Sequence, residues 1–291
     1  MTPTNFNMNT FLRLLLGVGL SIVCYNSYCM FKPPALNVSA FLATTAATSN
    51  EKPRVLLLGD SIFAGSIGHS WVPDLRAQHS GKDVINGGIN AELAWNIRNR
   101  MDAVLAVKPD VVVLMVGTND AMGSFRGGYL KGGDLYVAMG APQKPTVAWH
   151  QENLKAVLQK LRDHGIQQRA VLTIPPLGEV RASKANKHVN AINANVKQVA
   201  LETDTTVIDF NQAIWEEIDR LGGASSDTQE FTGIDVWAQT FGSVLHNVFG
   251  WNWNDVGPYN NRLRMLTDNC HLSERGADVL RGVVSQYLSL R

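Results

Sequence analysis

Residues 111–116 read Val-Val-Val-Leu-Met-Val and stop at Gly117, with no polar side chain among them. A strand with one face in water alternates polar and apolar residues, so an unbroken apolar run fits a strand covered on both faces. Runs of similar character recur at 54–59, 83–86, 169–174 and 206–210. Between them apolar residues fall at helical spacing. Leu93, Ile97, Met101, Val104 and Leu105 mark one helix over 93–107, and Leu154, Val157, Leu158 and Leu161 mark another that stops at Gly165. Further helices are expected over 185–201, from the last strand to Leu221, and at the end, where Leu280, Val283, Val284 and Tyr287 stand at i, i+3, i+4 and i+7. Buried strands alternating with amphipathic helices imply the α/β class, a parallel sheet with helices on both faces. No internal repeat interrupts the pattern, and it reads as one domain over 53–291. Two stretches carry no period and are expected to be irregular: the Gly-rich 121–145 and the aromatic 222–266.

Ahead of the domain, no charge occurs between Arg13 and Lys32, and 14–24 (LLLGVGLSIVC) is strongly apolar. The uncharged stretch meets the lower limit for crossing a bilayer, roughly 17–25 residues. Residues 1–32 are therefore expected to be a secretion signal or membrane anchor, with possible membrane attachment through 14–31 and a place in the secretory pathway. Residues 33–52, rich in Ala, Thr, Ser and Asn, read as a flexible stem. Asn37-Val38-Ser39 matches a glycosylation sequon, meaningful only on the lumenal side.

Charge and composition remove several function classes. With 26 basic and 25 acidic residues the net charge is +1, and no basic stripe forms, so a nucleic-acid partner is not expected. The cysteines, Cys24, Cys29 and Cys270, make no disulfide framework, and the dispersed histidines show no zinc spacing. No metal and no cofactor are expected. The phosphate-binding glycine motifs of nucleotide-binding α/β proteins are also absent.

In open α/β sheets, ligands bind beyond the carboxyl ends of the strands. The residues there are Asp60-Ser61, then Asn86-Gly87-Gly88-Ile89-Asn90-Ala91, then Gly117-Thr118-Asn119-Asp120, and, before the closing helix, Asp268-Asn269-Cys270-His271. A hydroxyl, an amide, carboxylates and an imidazole at one sheet end are an inventory suited to acyl transfer. Taken singly, each has a plainer reading. Ser61 can cap a helix, Asn119 can serve a turn, and an Asp-x-x-His pair often lies idle on a surface. Asp60 and Asp120 read as structural, bonding neighbouring backbone, and Cys270 as a buried small side chain.

Together and in this order, Gly59-Asp60-Ser61, Gly117-Thr118-Asn119-Asp120 and Asp268-x-x-His271 resemble the SGNH, or GDSL, hydrolase family. The resemblance spans residue 55 to the C-terminus. It implies a three-layer α/β/α sandwich with a flavodoxin-like parallel sheet, strand order 2-1-3-4-5, and a serine esterase mechanism. Ser61 would be the nucleophile, His271 the general base and acid, and Asp268 its orienter. The oxyanion hole would use the Ser61 and Ala91 backbone N–H groups and the Asn119 side chain. The family places a glycine five residues after its Asn, and from Asn86 that count lands on Ala91. Alanine serves there unless φ must be positive, and Gly88 is the fallback if the loop register differs. The implied substrate is a carboxylic ester on a small molecule, glycan or lipid, and Trp237, Trp251 and Trp253 are candidates for the cleft wall or for a sealed core. The competing reading is a catalytically silent binding module for a glycan or lipid.

Overall fold

The computed structural model describes residues 8–44, 51–125, 132–233 and 236–290. Helices α1 (Met8–Phe31) and α2 (Val38–Leu42) precede β1 (Arg54–Gly59), α3 (Ser61–Ala64), α4 (Val72–Gln78) and β2 (Asp83–Gly88). The chain continues through α5 (Ala94–Asn99), α6 (Met101–Leu105), β3 (Val111–Met115), α7 (Thr118–Ser124) and α8 (Gly132–Ala138). It goes on with α9 (Val147–Asp163), β4 (Gln168–Leu172), α10 (Lys184–Glu202) and β5 (Thr206–Ile208). Helices α11 (Phe210–Arg220), α12 (Val236–Asn247), α13 (Trp253–Asn261) and α14 (Glu274–Ser289) complete it.

The five strands form one parallel sheet in the order β2-β1-β3-β4-β5. Because successive side chains on a strand point to opposite faces, the apolar runs divide between two cores. Val55, Leu57, Val113 and Met115 meet Leu75, Ile214 and Leu280 on one face. Leu56, Leu58, Val112 and Leu114 meet Ile97, Val104, Leu158 and Val196 on the other. The expected three-layer sandwich and strand order are both observed. Gly59 pairs with Gly88 on one side and Met115 on the other, so the chain leaves β1, β2 and β3 at one level. Ser61, the 89–93 loop and the 117–120 turn are thereby neighbours.

Four stretches differ from expectation. The single helix over 93–107 divides into α5 and α6 at Arg100 (φ −102°, ψ 11°). Its guanidinium turns back to Glu92 Oε2 (2.6 and 2.9 Å) and Gly87 O (2.6 Å). The stretch 222–266 contains α12 and α13. Gly242, Gly257 and the internal Pro258 mask their period, and the Asn252 side chain caps α13. In 121–145, α7 and α8 occupy much of the sequence, and 126–131 lies outside the described residues. The fourth is the stem. Its first half is built into the domain: Asn86 N donates to Leu36 O (2.9 Å), and Asn37 bridges to Asn86 on the open edge of β2. Phe41 is buried in the second core beneath the Arg54 guanidinium, 5.5 Å from its ring centroid. Asn37, the sequon asparagine, caps α2 by accepting from Ala40 N.

Among the described residues no helix is long and apolar enough to cross a membrane, so α1 lends no support to a membrane-crossing anchor over 14–31. The later part of α1 rests on α12, where Asn247 Nδ2 donates to Asn26 Oδ1 (2.9 Å).

Candidate active site

Ser61 is the first residue of α3, directly after β1. Asp60 caps that helix, its Oδ1 accepting from Ile62 N (3.0 Å), and so fixes where the serine points. Ser61 Oγ lies 2.9 Å from His271 Nε2, across 210 positions of sequence. His271 Nδ1 is 2.7 Å from Asp268 Oδ2. The other Asp268 oxygen accepts from the backbone N–H groups of Cys270 (3.1 Å) and His271 (2.7 Å). All three side chains are buried.

In the 268–271 turn Asn269 sits at φ +69°, a left-handed conformation that asparagine tolerates, and the turn is tied down from outside. Gly178 N donates to Asn269 O (2.8 Å), Thr267 N to His271 O (2.8 Å), and Asn261 Nδ2 to Asn269 Oδ1 (2.9 Å). Glu179, fully buried, accepts from three successive backbone N–H groups, Arg264, Met265 and Leu266, at 2.7–3.0 Å. It holds the strand-like approach to the turn in place. Ser273 caps α14 immediately after it.

The residues expected to supply oxyanion donors follow three neighbouring strands, Ser61 after β1, Ala91 after β2 and Asn119 after β3. Neither the Ser61 nor the Ala91 backbone N–H donates to any described residue. Gly88, the fallback, is unsuitable, since its N–H already donates to Asn86 Oδ1 (2.9 Å). Glycine is required at 88 for another reason: a Cβ there would stand 2.3 Å from Ala64 N. Ala91 has φ +62°, the conformation in which alanine was expected to be strained. A left-handed non-glycine residue costs roughly 1–2 kcal/mol, which the surroundings must offset. Two contacts anchor the next residue, Glu92: its ion pair with Arg100, and Asn119 Nδ2 donating to its backbone O (3.0 Å).

Asn119 lies in α7, after a turn that only Gly117 accommodates, at φ +134° with a Cβ position 2.8 Å from His150 Nε2. Its Oδ1 accepts from the Tyr136 hydroxyl (2.7 Å). With the oxygen fixed by Tyr136 and one amide hydrogen on Glu92 O, the second amide hydrogen remains for a ligand.

Burial lowers the basicity of His271, but the Asp268 charge, its hydrogen bond and the Asp60 charge outweigh this, and the imidazole pKa rises above 6.5. For Asp268, burial pushes upward and the His271 charge and the three N–H bonds prevail, leaving it below the usual range. Asp60 is pushed up to about 7, chiefly by burial, with Asp120 and Glu92 adding to the rise against the Ile62 N–H and His271. Asp120, accepting from Ala94 N (3.1 Å), is raised by burial too. Burial likewise lifts the Cys270 thiol far above its ordinary range, so it carries no thiolate at neutral pH.

The three tryptophans do not share one site. Trp237 is exposed on α12. Trp251 packs edge-on to Tyr259 (5.8 Å between centroids). Trp253 is buried with Leu245 and Val256, stacked on His246 at 4.3 Å, and seals a small core rather than walling a cleft. Sequence reasoning missed Tyr136, Glu179 and the Glu92–Arg100 pair. Only a lone tyrosine in a Gly-rich stretch hints at the first. No group of three or more His, Cys, Asp or Glu among the described residues is placed to hold a metal ion.

The family model for GDSL-like lipases and acylhydrolases matches residues 57–279. No curated protein matches the chain. Among solved structures, it resembles the lipase/acylhydrolase from Enterococcus faecalis at 18% identity and a TM-score of 0.52, covering 81% of this chain and 95% of that one. It also resembles an acetylxylan esterase from Geobacillus stearothermophilus at 16% identity and a TM-score of 0.55, covering 82% and 96%. A third likeness is the α/β hydrolase LAE5 from the metagenome of Lake Arreo, Spain, at 15% identity and a TM-score of 0.53, covering 81% and 95%. These likenesses concern the fold. The family match spans most of the chain, including the serine and the histidine that the fold brings together, and on that ground the protein belongs to the GDSL-like lipase/acylhydrolase family and is a serine ester hydrolase.

Proposed function

We propose that the chain cleaves carboxylic esters through a Ser61–His271–Asp268 triad and an acyl-enzyme. Ser61 Oγ attacks the ester carbonyl carbon while its proton passes to His271 Nε2. The carbonyl oxygen becomes an oxyanion and takes hydrogen bonds from Ser61 N–H, Ala91 N–H and Asn119 Nδ2. Asp268 holds the imidazole by Nδ1 and stabilises it once charged. The C–O bond to the leaving alcohol then breaks, and His271 returns its proton to that oxygen. Water attacks the acyl-enzyme with the same base, releasing the carboxylic acid and restoring Ser61.

The observation that carries this reading is the unbroken relay of 2.9 Å from Ser61 to His271 and 2.7 Å from His271 to Asp268. Ser61→Ala, assayed on an aryl acetate, is expected to lose activity on the order of 10,000-fold or more with an unchanged circular dichroism spectrum. Retained turnover would refute the assignment. We place the chain in the secretory pathway, released or held at a membrane surface, on the strength of the uncharged stretch 14–31 and its exposed Leu16, Leu20, Val23 and Phe31. Fractionation of the full chain between membrane pellet and supernatant checks it.

A further inference from the structure

Two cavities adjoin where the N-terminal segment crosses the β2 edge of the sheet. The smaller, about 250 Å³, has Lys32, Ser70 and Arg76 in its walls and no aspartate or glutamate. The larger, about 640 Å³, has Phe31, Val38, Ile89 and Met139. Lys32, Pro34, Ala64, Ser66 and Asn86 are among the residues that line both. Ser61, Asn119, Asp268 and His271 line neither, so this place is distinct from the triad.

The cations of the smaller cavity lack acidic partners. Arg76 is half-buried, and burial alone draws its pKa below the usual guanidinium value, with no carboxylate opposing the shift. Its Nε and Nη2 both donate to Val84 O (3.1 and 3.0 Å), which leaves Nη1 uncommitted among the described residues. Lys32 is exposed directly after α1 and forms no ion pair there, and the Ser70 hydroxyl makes no hydrogen bond. Two cations and a free hydroxyl around a space without acids suit an anion with several acceptor oxygens, as a phosphate has.

The larger cavity has the opposite character. Its charged side chain, Arg100, is committed to Glu92 and Gly87 O, and Asn90 donates to Met30 O and Ser66 Oγ. Three apolar residues in its walls stay open to water: Phe31 is 70% exposed, Met139 57% and Ile89 48%. Grouped apolar exposure of this kind marks a binding surface. The bond from Asn90 also fixes the end of α1 here, and that helix presents Leu16, Leu20 and Val23 to solvent. A free phosphate would meet the cations and leave all this apolar surface bare. A phospholipid covers both, with its phosphate at the cations and its chains against the apolar walls.

We infer that Lys32, Ser70 and Arg76 bind the phosphate of an anionic phospholipid, which seats the chain on a membrane surface as an anchor and not as a substrate. This rests on the membrane reading above and is independent of the hydrolase reading. It also gives residues 31–39 a role that a loose stem would not have.

The test is sedimentation of the full chain with vesicles of phosphatidylglycerol or of phosphatidylcholine at low salt. Wild type is compared with Lys32→Gln, Arg76→Gln and a control, Lys187→Gln, exposed on α10 beside β4 and β5. Half-binding should need at least tenfold less phosphatidylglycerol than phosphatidylcholine. Each of the first two variants should weaken binding to phosphatidylglycerol roughly fivefold and leave phosphatidylcholine unaffected, and the control should change neither. Because the Lys32 side chain makes no bond among the described residues, its variant keeps the test decisive even if Arg76→Gln disturbs the fold. Aryl acetate turnover without vesicles should be unchanged in Lys32→Gln, and a loss there would contradict an anchor remote from the triad. Equal wild-type binding to both vesicles, or an equal loss in the control, would overturn the lipid site alone. Thermal stabilisation by inorganic phosphate with no preference between vesicles would assign the cations to a free phosphate and overturn it too. Binding to neither vesicle would overturn the membrane reading and the site together.

Discussion

Tyr136 shows how a single hydroxyl can govern a site it does not enter. Its bond to Asn119 Oδ1, with one Nδ2 hydrogen taken by Glu92 O, fixes the amide and leaves its second hydrogen for the oxyanion of the proposed mechanism. Tyr136→Phe leaves that oxygen without a donor in a buried place. A drop in kcat on the order of tenfold, with KM little changed, is expected, since removing an oxyanion donor outright costs about 100–1,000-fold. An unaltered kcat would remove Tyr136 from the account. His271 sets the pH dependence. The imidazole must be neutral to accept the serine proton, and Asp268 and Asp60 hold its pKa above 6.5. The acid limb of kcat/KM should therefore have its midpoint above pH 6.5, with activity rising as the proton leaves. In Asp268→Asn the partner that favours imidazolium is gone, so the limb moves to lower pH while kcat falls on the order of 10,000-fold. Wild-type activity that is full at pH 6 would contradict the pairing. At this scale the meeting of Ser61, His271 and Asp268 was legible, because they stand in the loops after the first strand and before the closing helix. Tyr136 and Glu179 were not, since their work depends on contacts 17 and 85–87 positions away that no local pattern encodes.

Among the elements, the strands were the most legible part because a doubly covered strand excludes polar residues. The errors came where side chains override local periodicity. Arg100 breaks a continuous apolar stripe into α5 and α6 to reach Glu92, and the glycines and Pro258 hide two helices in an aromatic stretch. The stem misled for a different reason. Its composition is that of a linker, yet one residue, Phe41, fills the second core beside Leu56 and Ile85, and backbone pairing to β2 does the rest. Truncating a buried phenylalanine removes both transfer energy and packing. Phe41→Ala should cost about 3–5 kcal/mol in urea unfolding of the full chain. A change near zero would return residues 36–44 to the status of a loose tether.

For the whole molecule, the parallel sheet solves a problem of distance. Its order puts the earliest strand between β2 and β3, so the loops after these three strands leave the sheet side by side. The last segment then returns over the same end, with Glu179 and Gly178 receiving its backbone before Asp268 and His271 arrive. Left-handed Ala91 shows that its loop is held away from its relaxed form by neighbours rather than by its own preference. A serine activated by a distant histidine differs chemically from every other serine in the chain, and that difference can be read directly. Full-length protein exposed to a fluorophosphonate and digested for mass spectrometry should carry the phosphonyl group on Ser61 alone, and His271→Ala should lose the label while remaining folded. Absence of the adduct from Ser61 in the wild-type chain, or labelling that persists undiminished without His271, would contradict the account.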